Sequence, residues 1–254
     1  LVSAGAATMV LFFRWQSLQG ASALVPLALF NDRNFSLAGA TISTVGFAIS
    51  TYIIPWMIYV QTVQGFTPTQ AALLVLPSGV VSGLLSPWVG KLTNTHNPKP
   101  FAIIGLTLAA VSMGVSALIT TPAVDPRWMY AIAVVYGVAN SLMWGPLSMI
   151  ATRNLDPRLA GAGSSVYNTT RQIGGVIGSA AIAAMMSSQL AAKLGDGAGA
   201  ADVTATGQAT GPLPEALHEP FALAMGNSIW LPCAVIAAGA VVACFFARTK
   251  SWND

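Results

Sequence analysis

The sequence predicts an all-α integral membrane protein with six full transmembrane helices and a stub of a seventh. Three observations predict it. Of 254 residues, 54% are hydrophobic and 7% are charged, where a soluble domain carries about 25% charged residues. The mean hydropathy of +0.66 exceeds what one core can hide, because a chain of this size still exposes roughly a quarter to a third of its unfolded surface. The apolar residues also fall in runs of about 20, the length that crosses a hydrocarbon core of ~30 Å.

The elements follow in order. Residues 1–13 are an apolar stub, the end of a preceding span, and 14–36 form a linker that carries Arg14, Asp32 and Arg33. A six-helix unit occupies 37–247, with runs at 37–60, 70–90, 100–120, 128–151, 161–188 and 227–247, and 248–254 form a tail. Polar or Pro-rich turns separate neighbours, as at 93–100 (TNTHNPKP) and 121–127 (TPAVDPR), which makes consecutive helices antiparallel. The loop 189–226 is too poor in apolar side chains to fold alone, apart from a short helix near Glu215 to Met225. A chain that opens on Leu1 inside an apolar run, with no signal-peptide start, reads as a piece of something longer.

Charge gives the orientation. Arg14, Arg33, Lys91, Lys99, Arg153, Arg158, Arg248 and Lys250 fall on alternate loops, and only Arg127 and Lys193 fall on the other side. Basic residues in short loops stay cytoplasmic, so the tail is expected inside and the loop 189–226 outside. Trp56, Tyr59, Trp128, Tyr130 and Trp230 are expected in the outer aromatic belt, with Trp15, Trp88 and Trp144 in the inner one. Tyr52, Tyr136 and Tyr167 lie deeper, as cavity residues or as interhelical hydrogen bonders.

Several classes of function are excluded by what the residues lack. The net charge of +3 is spread along the chain, so no nucleic-acid partner is expected. Cys233 and Cys244 stand eleven residues apart, about 16 Å along a helix, too far to pair. With His96 and His218 the only histidines, no metal site and no cofactor is expected. No phosphate loop, catalytic triad or carboxylate pair supports an enzyme. None of the four lysines lies in a span, which removes a retinal Schiff base.

An ionisable group inside a membrane is a candidate functional residue. Every carboxylate maps to a loop or tail, while Arg171 lies about ten residues into the run 161–188. With Asn168 and Gln172 it is a candidate cavity or gate residue; the other reading is a side chain that snorkels to the headgroups. Tyr136, Asn140, Met143 and Trp144 recur at roughly helical spacing and could form a cavity wall or ordinary packing. Gly174, Gly175 and Gly178, like the Gly79 and Gly83 pair, are read as packing or hinge positions. Pro77 and Pro146, with Pro55 and Pro87, mark kinks that serve either a moving gate or a static helix.

The order of motifs resembles the carboxy-terminal half of a major facilitator superfamily transporter of the fourteen-span drug:proton antiporter type (EmrB/QacA-like). The lead-in PLALFNDRNF at 26–35, Tyr59 to Gln61 with Gly65, Pro68, Ala71 and Pro77, and Pro87 with Gly90 and Lys91 carry the resemblance. Asn94 stands where the family's GxLxDrxGrr loop has an acid. The most specific match is 160–180, AGAGSSVYNTTRQIGGVIGSA, similar to the small-residue Asn-x-x-Arg-Gln-x-Gly-Gly pattern of the branch's penultimate span.

The resemblance implies secondary active efflux: two halves rock around a central cavity and export lipophilic, often cationic compounds against inward proton flow. The partners it implies are membrane lipids, a small lipophilic substrate, protons and the amino-terminal half of the same transporter, in the cell membrane. A lipid or glycolipid translocator on the same scaffold, and a truncated half that does not transport, stay open as alternatives.

Overall fold

The computed structural model describes residues 26–194 and 213–247, with Gly5, Ala7, Thr8, Val10, Leu11, Arg14 and Trp15 near the start. The stub, most of the linker, the tail and residues 195–212 of the loop therefore lie outside the described residues. Between residues 26 and 247 the described residues form six long helices: α1 (Arg33–Thr62), α2 (Pro68–Thr95), α3 (Pro98–Ile119), α4 (Met129–Thr152), α5 (Ala160–Leu194) and α6 (Glu215–Cys244). Each, with short helical turns ahead of α4 and α5, is long and apolar enough to cross a membrane. Among the described residues there are no strands.

Short polar side chains start these helices. Asp32 accepts from the Phe35 amide at 2.7 Å ahead of α1, and Asp125 and Asp156 accept from Arg127 and Arg158 in the two Asp-Pro-Arg turns. Thr67 and Gln70 close a reciprocal capping box on α2, with Pro68 in its first turn. Each cap satisfies an amide that a helix start leaves unpaired.

Helix lengths differ from the apolar runs at the ends. α5 continues to Leu194, and α6 begins at Glu215 and runs unbroken through Gly226. The expected short helix at Glu215 to Met225 is thus the first part of the last span. The reason is burial: Phe221, Ala222, Ala224 and Met225 are fully buried, and Gly226 passes so near α3 that a Cβ there would stand 2.9 Å from the Ala117 carbonyl oxygen.

Packing follows a paired pattern. α1 lies against α5 and α6, α4 against α2 and α3, and α3 against α6. Exchanging α1–α3 with α4–α6 maps the α1–α5 contact onto α4–α2 and the α1–α6 contact onto α4–α3 and leaves α3–α6 unchanged, the arrangement of two three-helix repeats; they differ in that α5 also lies against α6 while α2 barely meets α3. Glycines make the equivalent close approaches: Gly46 of α1 against the Arg171 carbonyl of α5, Gly137 of α4 against Ser78 of α2, Gly105 of α3 against α4, and Gly239 of α6 against Thr44 of α1. Among apolar helices in lipid, such backbone proximity supplies dispersion contacts in place of a hydrophobic drive.

The crossing of α1 and α5 is the tightest. A Cβ on Gly174 would collide with the Ser43 carbonyl, and one on Gly178 would stand 2.8 Å from that of Phe47. Gly79 and Gly83 differ: nothing lies within 4 Å of a Cβ at either, so their face of α2 is unpartnered. Pro55, Pro77, Pro87 and Pro146 all sit inside continuous helices.

One end of the bundle is tied by cations. Lys99 donates to the carbonyls of Cys244 and Phe246 at 2.7 and 2.8 Å, and Arg33 donates to that of Phe245 at 3.1 Å. Asn34 exchanges two hydrogen bonds with Ala247. The unpaired carbonyls at the end of α6 favour positive charge, so α1 and α3 grip it there.

The aromatic belt needs correction. Trp56 and Tyr59 are each only 2% exposed, and the Tyr59 hydroxyl donates to the Thr121 carbonyl at 2.8 Å while accepting from Gln64. They are core residues, because they face α1's helical neighbours rather than lipid. Trp88, Trp128, Tyr130 and Trp230 are exposed.

Gly174→Ala is expected to lower the thermal unfolding midpoint of the full chain in detergent, the result of overpacking by about 1–3 kcal/mol. Gly39→Ala, where nothing lies within 4 Å, should be neutral or stabilising in the same scan.

Candidate functional site

A connected set of polar and aromatic side chains crosses the interior from α5 through α4 and α1 to α3. It begins at Arg171, whose backbone carbonyl faces Gly46. Gly46 is thirteen residues from the start of α1 and sixteen from its end, so the Arg171 backbone is level with the middle of that span. The guanidinium carbon lies 5.8 Å from the centre of the Trp144 ring, within the range of a cation–π contact. Trp144 is eight residues from the end of α4, about 12 Å at 1.5 Å per residue. The Arg171 side chain is half-buried.

Trp144 is held in turn. Its indole N–H donates to Asn140 Oδ1 at 3.1 Å, and the Asn140 amide donates to the Tyr136 carbonyl at 3.0 Å. Tyr136, Asn140 and Trp144 are spaced by four residues, so they share one face of α4. The Tyr136 ring packs on that of Tyr52 with centroids 5.5 Å apart, and the Tyr52 hydroxyl shares a buried 2.6 Å hydrogen bond with Ser116 of α3.

The remaining candidates separate. Met143 is fully buried and lies where α4 meets Gly105 of α3; one position short of Trp144, it is turned about 100° away from the face of the other three. It belongs to the core rather than to a cavity wall. Asn168 and Gln172 are exposed, and the Asn168 amide donates back to the Ser164 carbonyl of its own helix at 3.0 Å. Gly174, Gly175 and Gly178 line the crossing with α1. Pro146 is buried within α4 and Pro77 is half-buried in α2.

Two further groups flank Arg171: Tyr167, read from the sequence as a cavity residue or an interhelical hydrogen bonder, and Gly46, which sequence reasoning did not single out. Tyr167, one turn before Arg171, is 6% exposed, and its hydroxyl has no hydrogen-bond partner among the described residues. Gly46 faces the Arg171 backbone carbonyl, and no local feature of the sequence singles it out as that partner.

Charge at this depth is one-sided. The described carboxylates are Asp32, Asp125 and Asp156, which cap helical turns, and Glu215 and Glu219 in the opening turns of α6. None of them is near the middle of a span. Away from this set, an apolar groove of about 370 Å³ opens between α3 and α4, lined by Val111, Val115, Ile119, Trp128, Ile132 and Val135.

Six spanning helices in two packed triplets fit one half of a transporter. Residues 2–179 match the family profile described as Major Facilitator Superfamily. The chain belongs to this superfamily. Its relatives within it include an uncharacterized MFS-type transporter of Mycobacterium tuberculosis, 39% identical over 247 residues, 96% of this chain and 42% of that protein. The multidrug resistance protein Stp of the same species is 28% identical over 185 residues, 72% of this chain and 34% of that protein. The tetracycline resistance determinant of Streptomyces rimosus is 28% identical over 208 residues, 77% and 56% respectively. The chain thus spans about two fifths of the first of these superfamily relatives and a third of the second.

Tyr52→Phe removes a satisfied buried hydrogen bond and is expected to lower stability by about 1 kcal/mol. Tyr167→Phe removes a hydroxyl without a partner and should be neutral or stabilising. Parallel thermal unfolding of the two purified variants checks the contrast.

Proposed function

We propose that the chain is the carboxy-terminal half of a secondary active exporter of lipophilic compounds, of the fourteen-span type, working by alternating access with proton antiport. The observation that carries this reading is the pair of unpartnered flanks. α2 buries only Ala71, Leu74, Val89 and Thr93, its Gly79 and Gly83 face open space, and α5 exposes Ile173, Val176 and Ile177. A small-residue face suits a second helix layer, supplied by an amino-terminal half of the same transporter, while Leu76, Leu84 and Trp88 suit membrane lipid. The relatives' greater length agrees with such a half, and two of their names refer to multidrug or tetracycline resistance.

Alternating access then sets α1, α2, α4 and α5 around a central space, with α3 and α6 clasped outside them. The end at which Lys99 and Arg33 hold α6 is the cytoplasmic one by the charge rule, and the membrane is the cell membrane. With no carboxylate at mid-depth among the described residues, proton-carrying acids belong to the amino-terminal half. The cation preference that the family resemblance implies finds no support in these six spans.

The apolar groove between α3 and α4 favours a second reading, a lipid translocator with a lateral opening. Accumulation of a fluorescent lipophilic compound in cells expressing the full chain tests both. Export predicts lower accumulation that an uncoupler restores. Unchanged accumulation, with the protein in the membrane, rejects drug export and leaves movement of a labelled lipid between leaflets as the activity to measure.

A further inference from the structure

The groove between α3 and α4 changes in polarity along its length. At one end stands the turn that joins the two helices, with Asp125 and Arg127, both exposed. Next comes Trp128, which lines the groove and is 66% exposed; below it the walls include Val111, Val115, Ile119 and Val135. Ser112 is the one hydroxyl in the lining, and it donates to the Leu108 carbonyl of its own helix at 2.8 Å. Charge, then indole, then hydrocarbon is the order met on entering a bilayer from its surface, where Trp sits at the headgroup level. From Ile119 back to Val111 the wall runs about 12 Å along α3, close to the ~15 Å of hydrocarbon in one leaflet. The shape suits a flexible chain: about 370 Å³ spread along those ~12 Å gives a mean cross-section of about 30 Å². A helix ~10 Å across needs roughly 80 Å². Val111, Val115 and Val135 are exposed along the open side. Deeper in, α3 and α4 close on each other, since a Cβ on Gly105 would stand 2.9 Å from the Leu142 carbonyl carbon. The groove is therefore open sideways and blind at its inner end.

We propose that this groove binds one phospholipid, with an acyl chain laid between α3 and α4 and the phosphate at the Arg127 guanidinium. Guanidinium and phosphate pair through two parallel hydrogen bonds, and Trp128 supplies the amphipathic lip between headgroup and chain. Asp125 narrows the choice of headgroup. Its carboxylate lies at the head of the same turn, where one oxygen accepts from the Arg127 amide at 2.8 Å. The two side chains make the turn neutral overall, and a second negative charge on the lipid meets repulsion there. The headgroup that fits is zwitterionic, with its phosphate toward Arg127 and its ammonium toward Asp125. By the charge rule this end of the bundle is outside, so the lipid belongs to the outer leaflet. A lipid so held is a resident rather than cargo, because the blind inner end gives it no route across. The site stands whichever compound the transporter moves.

The test uses the purified full chain in maltoside micelles and a phosphatidylethanolamine that carries a diazirine in one acyl chain, with photolysis followed by peptide mapping. Label is expected to concentrate on residues 111–135 and to saturate at one lipid per chain. Unlabelled phosphatidylethanolamine should compete about tenfold better than a diacylglycerol of the same chains, the scale of hydrogen bonds to a charged group. It should compete roughly threefold better than phosphatidylglycerol, whose net negative charge faces Asp125. Val115→Trp fills the groove from an exposed position and should cut the labelling about tenfold. Arg127→Gln should remove the preference over diacylglycerol while residues 111–135 stay labelled. Label spread evenly over other exposed residues, such as Leu76 and Leu84 of α2, would overturn the proposal. So would labelling that Val115→Trp leaves unchanged, or equal competition by diacylglycerol in the native protein. Absence of label from 111–135 would show that another segment of the chain covers the groove, and would overturn it too. Should Val115→Trp not fold, the map and the competition on the native protein still decide.

Discussion

The near-contact of two backbones, α1 at Gly46 and α5 at Gly174 and Gly178, is the constraint on which the interior depends. In lipid, helices gain little from hiding apolar side chains from one another, so close approach must supply the attraction. Here it also sets the depth of a charge. The carbonyl that Gly46 accommodates belongs to Arg171 itself, so the crossing holds the guanidinium level with Trp144 and the chain of contacts that runs on to Tyr52 and Ser116. Moving α5 outward by one methyl group would loosen the contact of Arg171 with Trp144, the link by which α5 joins that chain.

The two helix triplets meet in equivalent ways, and the difference between them is chemical. Where α1 meets α5, the residue against the glycine is Arg171; where α4 meets α2, the residue against Gly137 is Ser78. One crossing therefore carries a formal charge and its counterpart carries a hydroxyl that donates back to Val75 of its own helix. A scaffold of repeats provides two equivalent positions near the bundle's centre, and only one of them is charged.

Several of the other described charges bind helix ends. Carboxylates cap the starts of helical turns, and Lys99 and Arg33 hold the last carbonyls of α6. Both arrangements follow from the unpaired groups and the dipole of a helix terminus. They leave the depth of the bundle to hydroxyls, amides, aromatic rings and one guanidinium.

Much of this was legible in the residues. Six spans, the isolation of Arg171 and the shared face of Tyr136, Asn140 and Trp144 all follow from hydropathy, charge and a repeat of four, which are local properties of the chain. Met143 was drawn into that set by nearness in sequence, and only the meeting of α4 with α3 shows that it turns into the core. Trp56 and Tyr59 read as belt residues because their position along the span resembles an interface, yet neighbouring helices cover them. The break expected near Gly226 is absent because α3 passes against that glycine and buries the turn before it. Nothing local marks Gly46 as the partner of Arg171, nor the pairing of two triplets. Helices that are apolar on every side carry no stripe to say which face meets which neighbour, so the sequence determined what crosses the membrane and the tertiary structure decided what touches inside it.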